Sequence, residues 1–204
     1  MYSEIAFTSG AASSLPVEII AEENCASFSI THISGVTVGE SPGWVAQRLA
    51  HLGMRSINNV VDASNLVMLE TNQPNHAYDA DVVSSFRVRL AHAGETLTTL
   101  DGQTRNLHAD DLLICNGSTN VGVGLAGVMG DLHSEITEKT TALALESAWF
   151  SPDPIRYSAI RHGLRSEASI RFERGTDPNA WQQAAERFVT ILRETCPDVT
   201  LHAG

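Results

Sequence analysis

Long apolar runs are missing from this chain of 204 residues. Charge or glycine breaks its most hydrophobic stretches within about ten residues, well short of the roughly 18 that a membrane-spanning helix needs. A membrane partner is therefore not expected. The N-terminal MYSEIAFTSG has neither a basic start nor a continuous apolar segment, so a secretory leader is not expected and the location reads as cytoplasmic. Cysteine is scarce too. Cys25, Cys115 and Cys196 are widely spaced and odd in number, a pattern that fits reduced thiols better than a disulfide framework or zinc knuckle. The eight histidines show no paired spacing with cysteines or carboxylates, so no metal site is expected. Positive charge is the remaining deficit: 13 Lys and Arg stand against 24 Asp and Glu, for a net charge of −11. Such a balance argues against a surface that grips nucleic acid broadly, because each phosphate contact needs a local cation.

What basic charge there is gathers in one place. Arg156, Arg161, Arg165, Arg171 and Arg174 crowd a single segment with His162 among them. Screening over roughly 8 Å at physiological salt lets a local patch hold an RNA end even on an acidic body. The alternative is a helix whose arginines pair with Glu167, Glu173 and Asp177. Both roles stay open at this point.

A composition that is 43% hydrophobic supports a sizeable core, in one large domain or two closely packed ones. Phe28 to Val38 alternates as a half-buried strand. Ser41-Pro42 opens a helix, with serine as N-cap, that runs to about Leu52 and ends at Gly53. Phe86 to Ala91 reads as a strand with its arginines outward, and Asp101-Gly102 predicts a two-residue hairpin within Leu97 to Leu107. Leu112 to Cys115 and Thr141 to Leu145 are expected as short core strands, Pro154 to His162 and Asn179 to Glu194 as helices. Strands outnumber helices and hairpins mix with longer connections, so the class is α+β. Residues 1–25 read as a lead-in and 26–204 as the domain, with no internal repeat or low-complexity segment.

The most informative stretch is RSINNVVDASNLVMLETNQPNHAYD, residues 55–79, where polar side chains interrupt a helical apolar pattern at fixed places. Asn58 and Asn59 suit helix capping and turns, since such side chains bond nearby backbone N–H groups. Gly122 to Gly130, GVGLAGVMG, is glycine-dense but lacks the lysine of a phosphate-binding loop and the spacing of a dinucleotide fingerprint. Close backbone approach, or a tight turn between strands, remains as its purpose. Glu146 follows the apolar ALAL, where a carboxylate is costly unless partnered.

Four segments together carry a resemblance: residues 55–79, LTTLDGQTRNL (97–107), GLAGVMGDLHSEIT (124–137) and ALESAWFSPDPIRYSAIRHGLRSEASIRFERGTDP (144–178). Over most of its length the chain resembles the editing region, or B3/B4 domain, of the bacterial phenylalanyl-tRNA synthetase β subunit. The resemblance implies a layered sheet-on-sheet module with outer helices, an excised part of a longer subunit that lacks the parts for ligation. It implies an aminoacyl-ester hydrolase that clears tyrosine mischarged onto phenylalanine tRNA. The expected partners are the acceptor end of that tRNA and, through the full subunit, the synthetase α subunit. No cofactor is expected for the domain itself, whereas the parent ligase is expected to use ATP and Mg²⁺.

Carried over position by position, the resemblance implies that His76 lies at the scissile ester and that Asn65 fixes the substrate ammonium or carbonyl. Glu146 would accept the tyrosine hydroxyl. Ser64, Ala126, Gly127, Gly130, Ser166 and Ala168 would shape the amino-acid pocket, and Arg161, Arg165 and Arg174 are the candidates for RNA contact. Serine replaces the family's usual threonine at 64 and 166, and Gly130-Asp131 replaces a glycine pair, which predicts an extra carboxylate beside the pocket. A triad of Ser64, His76 and Asp79 is conceivable, but attack by water with substrate assistance is the preferred expectation. The alternatives from other classes are a non-catalytic tRNA-binding or scaffold module and a free-standing aminoacyl-tRNA hydrolase.

Overall fold

The computed structural model describes residues 15–202. In chain order the elements are β1 (Val17–Ile19), β2 (Cys25–Ser34), α1 (Gly43–His51), α2 (Asn59–Thr71), β3 (Asn75–Asp79), β4 (Phe86–Leu90), β5 (Thr96–Thr98), β6 (Thr104–Asn106), β7 (Leu112–Asn116), β8 (Gly122–Leu125), β9 (Met129–Gly130), β10 (Ala142–Phe150), α3 (Pro152–His162), α4 (Glu167–Phe172), α5 (Trp181–Leu192) and β11 (Thr200–His202). Two larger sheets form, in the orders β1-β4-β7-β8-β9 and β11-β2-β10-β3, and β5 pairs with β6. All pairings are antiparallel except β1 with β4.

Three layers follow from what each face buries. Phe86, Val88, Leu113 and Leu125 of the first sheet pack with Phe28, Tyr78, Ala144 and Phe150 of the second. The opposite face of the second sheet, with Ile33, Ala77, Leu143 and Leu145, meets Val45 and Leu49 of α1, Leu66 and Val67 of α2, and Phe188 and Leu192 of α5. The class is mixed α and β, as the sequence pattern indicates, with sheet on sheet and helices outside, as the resemblance implies. Because β10 is covered on both faces, its run ALAL continues as strand through Glu146 and SAWF to Phe150. The short strand expected over Thr141 to Leu145 is therefore nine residues long, and Glu146 sits in its middle.

Local chemistry explains the other departures. β2 begins at Cys25 and stops at Ser34 instead of reaching Val38, since Gly35 turns left-handed at φ 77°. Ser41 does not cap α1. Pro42 holds the N-cap position, and the Ser41 hydroxyl donates to Asp62 Oδ2 at 2.6 Å. Buried Asp62 also accepts from Ile57 N–H at 2.8 Å and from the Ser56 hydroxyl, which fixes the start of α2. Asn58 is the N-cap of α2, accepting from Val60 and Val61 N–H, whereas Asn59 staples the helix to Gly39 N–H, Thr37 C=O and the Thr195 hydroxyl. Arg89 of β4 does not face out. It is 5% exposed and grips Glu95 through two bonds of 2.7 and 2.9 Å. The Asp101-Gly102 turn is wider than two residues, with Gly102 N–H bonded to Thr99 C=O and Thr99 N–H to Gln103 C=O. Of the expected lead-in, residues 1–14 lie outside the described residues, while Val17–Ile19 joins the first sheet beside β4. Cys25, Cys115 and Cys196 are separate, buried, free thiols.

Candidate active site

β3 and β10 set the site. In their antiparallel register His76 pairs with Glu146 and Tyr78 with Ala144. Side chains directly opposite on paired strands share a face, and the alternation of each strand assigns that face. Ala77, Leu143 and Leu145 point to the helices, so His76, Tyr78 and Glu146 point toward the other sheet. That sheet supplies the facing wall from the turn between β8 and β9. A single cleft results, lined by His76, Tyr78, Glu146, Gly127, Gly130 and Ala168, among others.

The walls approach closely where glycine stands. A Cβ on Gly130 would lie 2.8 Å from both Cε1 and Nε2 of His76, so only glycine leaves the imidazole where it is. Gly127 has φ 66°, and a Cβ there would press on Ile155, Phe172 and Phe150 at 3.1–3.2 Å. Inside the cleft the Tyr78 hydroxyl donates to Glu146 Oε2 at 2.8 Å, and the His76 ring stands edge-on to Tyr78 with centroids 4.4 Å apart. Nε2 of His76 is out of reach of solvent and has no hydrogen-bond partner among the described residues. An orphaned buried nitrogen of this kind calls for a ligand or water at the site. The space within this open cleft is about 70 Å³, room for water but not for an aromatic side chain. An amino acid enters only if lining groups give way, and the thioether of half-buried Met129 is the most adaptable of them.

Burial reverses the usual acid–base order of the two polar groups. It pushes the Glu146 carboxyl up to about 7, against a smaller opposing effect of the Tyr78 hydrogen bond. It pulls the His76 imidazolium down to about 4. At neutral pH the imidazole is therefore uncharged, with a lone pair or N–H to offer, while the carboxyl is poised between its two forms. Burial and the adjacent carboxylate raise the Tyr78 phenol well above its ordinary range, so it remains a neutral donor.

The other expected residues lie around this centre. Ser64 donates its hydroxyl to Asn75 C=O at 3.0 Å, and the Ser166 hydroxyl donates to Val128 C=O at 2.7 Å while capping α4. Each thus holds a residue of the lining without lining the cleft itself. Ala126 is buried beneath the turn, with its N–H on Leu112 C=O. Asn65, half-buried on α2, is not among the lining residues and makes no side-chain hydrogen bond among the described residues. The triad does not assemble: Asp79 is engaged by Asp81 N–H and the Thr140 hydroxyl, and Ser64 by Asn75. Asp131 does not crowd the cleft, because its carboxylate caps the 3₁₀ turn Leu132–Ser134 by accepting from His133 N–H.

The arginines divide between the two readings. Arg161 is paired to Asp111, a fully buried carboxylate that also receives Ser158 and His162, each at 2.7 Å. Arg171 binds Glu167 at 2.7 Å. Arg165 is 70% exposed, 4.0 Å from Glu173, and Arg174 is exposed with no ion pair among the described residues.

Sequence reasoning missed Tyr78, which reads as an ordinary core aromatic. Its signal was available in hindsight: strand alternation puts it on the same face as His76, two positions away. Ile114, Leu125 and Phe172, also in the lining, carry no polar signature and are placed there only by the fold.

With this geometry in view, comparison with known proteins is informative. The family profile described as the B3/4 domain matches residues 24–197. The chain is 49% identical over 184 residues to the phenylalanine–tRNA ligase β subunit of Anaeromyxobacter dehalogenans, covering 89% of this chain and 23% of that protein. For the same subunit of Geobacter sulfurreducens the identity is 48%, covering 84% of this chain and 22% of the relative. For Halalkalibacterium halodurans it is 45%, covering 94% and 24%. The chain thus spans less than a quarter of the length of these relatives. Among solved structures, an N-terminal fragment of the phenylalanyl-tRNA synthetase β subunit from Pyrococcus horikoshii shares the fold, with a TM-score of 0.61 at 10% identity, covering 94% of this chain and 51% of that one.

Proposed function

This chain belongs to the B3/4 domain family, as represented in phenylalanine–tRNA ligase β subunits, and from that premise we propose that it is a proofreading domain that hydrolyses the ester of tyrosine misattached to phenylalanine tRNA. The observation that carries this reading is the buried carboxylate of Glu146 in a cleft beside His76. Phenylalanine and tyrosine differ by one hydroxyl, and an apolar activation pocket rejects an added hydroxyl by only about a hundredfold. A second site that must hydrogen-bond the hydroxyl rejects the analogue without it by roughly 10⁴ or more, because a buried acceptor would be left unpaired.

In this reading Glu146 accepts the phenol and His76 stands at the ester, where its uncharged Nε2 orients the attacking water or the terminal ribose hydroxyl. Water adds to the ester carbonyl, the tRNA hydroxyl leaves with a proton, and free tyrosine is released. Asn65 lies outside the lining and would act on the substrate only after the cleft opens. The acceptor end of the tRNA is the proposed partner, held by Arg165 and Arg174. The α subunit of the ligase would be met through the rest of the β subunit, in the cytoplasm. The hydrolytic step draws on residues 26–204 and on water, whereas ATP and Mg²⁺ would serve ligation elsewhere in the whole enzyme.

One observation favours a second reading, a non-catalytic tRNA-binding module: the space within the cleft is only about 70 Å³. A Glu146→Ala variant built into the complete two-subunit synthetase separates the two. Proofreading predicts that preference for tyrosyl over phenylalanyl esters falls by roughly ten- to a hundredfold, the worth of a hydrogen bond to a charged group. If the parent enzyme hydrolyses neither ester when Glu146 is intact, the binding module is the correct reading.

A further inference from the structure

The molecule contains its own example of a phenol bound to the carboxylate that is proposed to read one. Tyr78 is 1% exposed, and its hydroxyl bonds Glu146 Oε2 at 2.8 Å. Gly124 lies beside that hydroxyl, its Cβ position an ordinary contact distance of 3.4 Å away. No other hydrogen bond reaches the Glu146 carboxylate among the described residues, so Oε1 is the acceptor left over, on a residue that lines the cleft. We propose that Tyr78 is a positioning and specificity-determining residue: by occupying Oε2 it fixes the carboxylate and leaves one oxygen, Oε1, to receive a single phenolic hydroxyl from an amino-acid ester. The inference rests on the proofreading reading for the identity of that ligand.

Chemistry gives the arrangement a second effect. A hydrogen bond donated to a carboxylate favours its charged form, and here it works against strong desolvation. The groups around the pair are few. His76 is uncharged at neutral pH, and burial holds the Cys25 and Cys115 thiols protonated, at about 12 and 11. Asp131 lies close enough to act on Tyr78. Tyr78 is thus the only neighbour that donates a hydrogen bond to the Glu146 carboxylate among the described residues, and without it the carboxyl takes up a proton and ceases to be an acceptor-only group.

The test is Tyr78→Phe, which removes one oxygen and keeps the ring. Titration of the Glu146 side-chain carboxyl by ¹³C NMR in the chain itself should move upward by about one unit from the parent. In the complete synthetase the tyrosyl preference should fall about tenfold at neutral pH and recover as pH rises through the shifted titration. A parallel substitution of 3-fluorotyrosine at position 78, a stronger donor in the same shape, should move the carboxyl titration down; this arm remains decisive if the phenylalanine variant folds poorly. A Glu146 titration unchanged in both variants overturns the inference. A parent synthetase with no tyrosyl preference instead overturns the proofreading reading, and the titrations alone then decide whether Tyr78 controls the carboxylate.

Discussion

Glu146 and His76 are direct partners across β10 and β3, and burial moves their protonation in opposite directions. Far apart in the chain, they meet because an antiparallel ladder puts opposite residues on one face. They share this face with Tyr78, and each is uncharged at a pH where an exposed counterpart would carry charge.

Stability therefore depends on pH in two opposing ways. Glu146 is raised from 4.5 to about 7, so the native state binds the extra proton between those values and stability falls as pH rises through that window. His76 is lowered from 6.5 to about 4, so the unfolded state binds the extra proton and stability rises between about 4 and 6.5. Each effect is on the order of 3 kcal/mol, and in the parent they largely offset one another. Glu146→Gln should leave the rising limb alone, and His76→Asn the falling one, in urea melts between pH 4 and 8. Flat profiles in both variants would mean that neither group is held as described.

Gly130→Ala should disable the site without unfolding the protein. The added methyl carbon would sit 2.8 Å from the imidazole of His76, which must swing away, while the backbone at 130 needs no left-handed conformation. A displacement near 1 Å at a reacting group costs on the order of a hundredfold, so tyrosyl-ester hydrolysis should drop by about that factor at nearly unchanged melting temperature. Gly124→Ala, whose new carbon meets the Tyr78 hydroxyl at an ordinary 3.4 Å, is the tolerant control.

Asp62→Ala should destabilise the fold by about 1–3 kcal/mol, because the Ser41 and Ser56 hydroxyls and the Ile57 N–H would lose their shared acceptor. The loss is measurable as a lower urea midpoint at constant m-value. An unchanged midpoint would show that water replaces the carboxylate.

How much of this was legible in the sequence depends on the range of the interactions. Asn58, a local cap, and the helical stretch after Pro154 were readable because neighbouring residues decide them. β10 was underestimated because Glu146 interrupts its apolar run, and nothing local reveals that both faces are covered. Ser41 looked like a cap but bonds a carboxylate on the next helix, and Arg89 looked exposed until Glu95 and Asn120 closed over it. In the site, His76, Gly127, Gly130, Glu146 and Ala168 come together, whereas Ser64 and Ser166 support the lining from behind. Tyr78 was invisible as a polar participant because its hydroxyl matters only through a partner on another strand.

The arginine segment should separate into residues that hold the protein and residues free to hold RNA. Arg161 compensates Asp111, whose carboxyl burial would push up but which the hydrogen bonds from His108 N–H, His162 and Ser158 keep below its ordinary value. Arg161→Ala should therefore lower stability by about 1–3 kcal/mol, since part of the compensation for a buried charge is lost. Among the described residues Arg174 makes no ion pair and Arg165 only the long one to Glu173, so removing them should leave the melting temperature within a degree or two. If they touch the tRNA backbone, each substitution to alanine should weaken binding and reduce the slope of log affinity against log salt by about one. Filter binding at two salt concentrations beside a thermal melt reads both quantities. An unchanged slope for Arg165→Ala and Arg174→Ala would place the RNA contact on another face, because no exposed arginine can neutralise a phosphate without leaving that salt dependence behind.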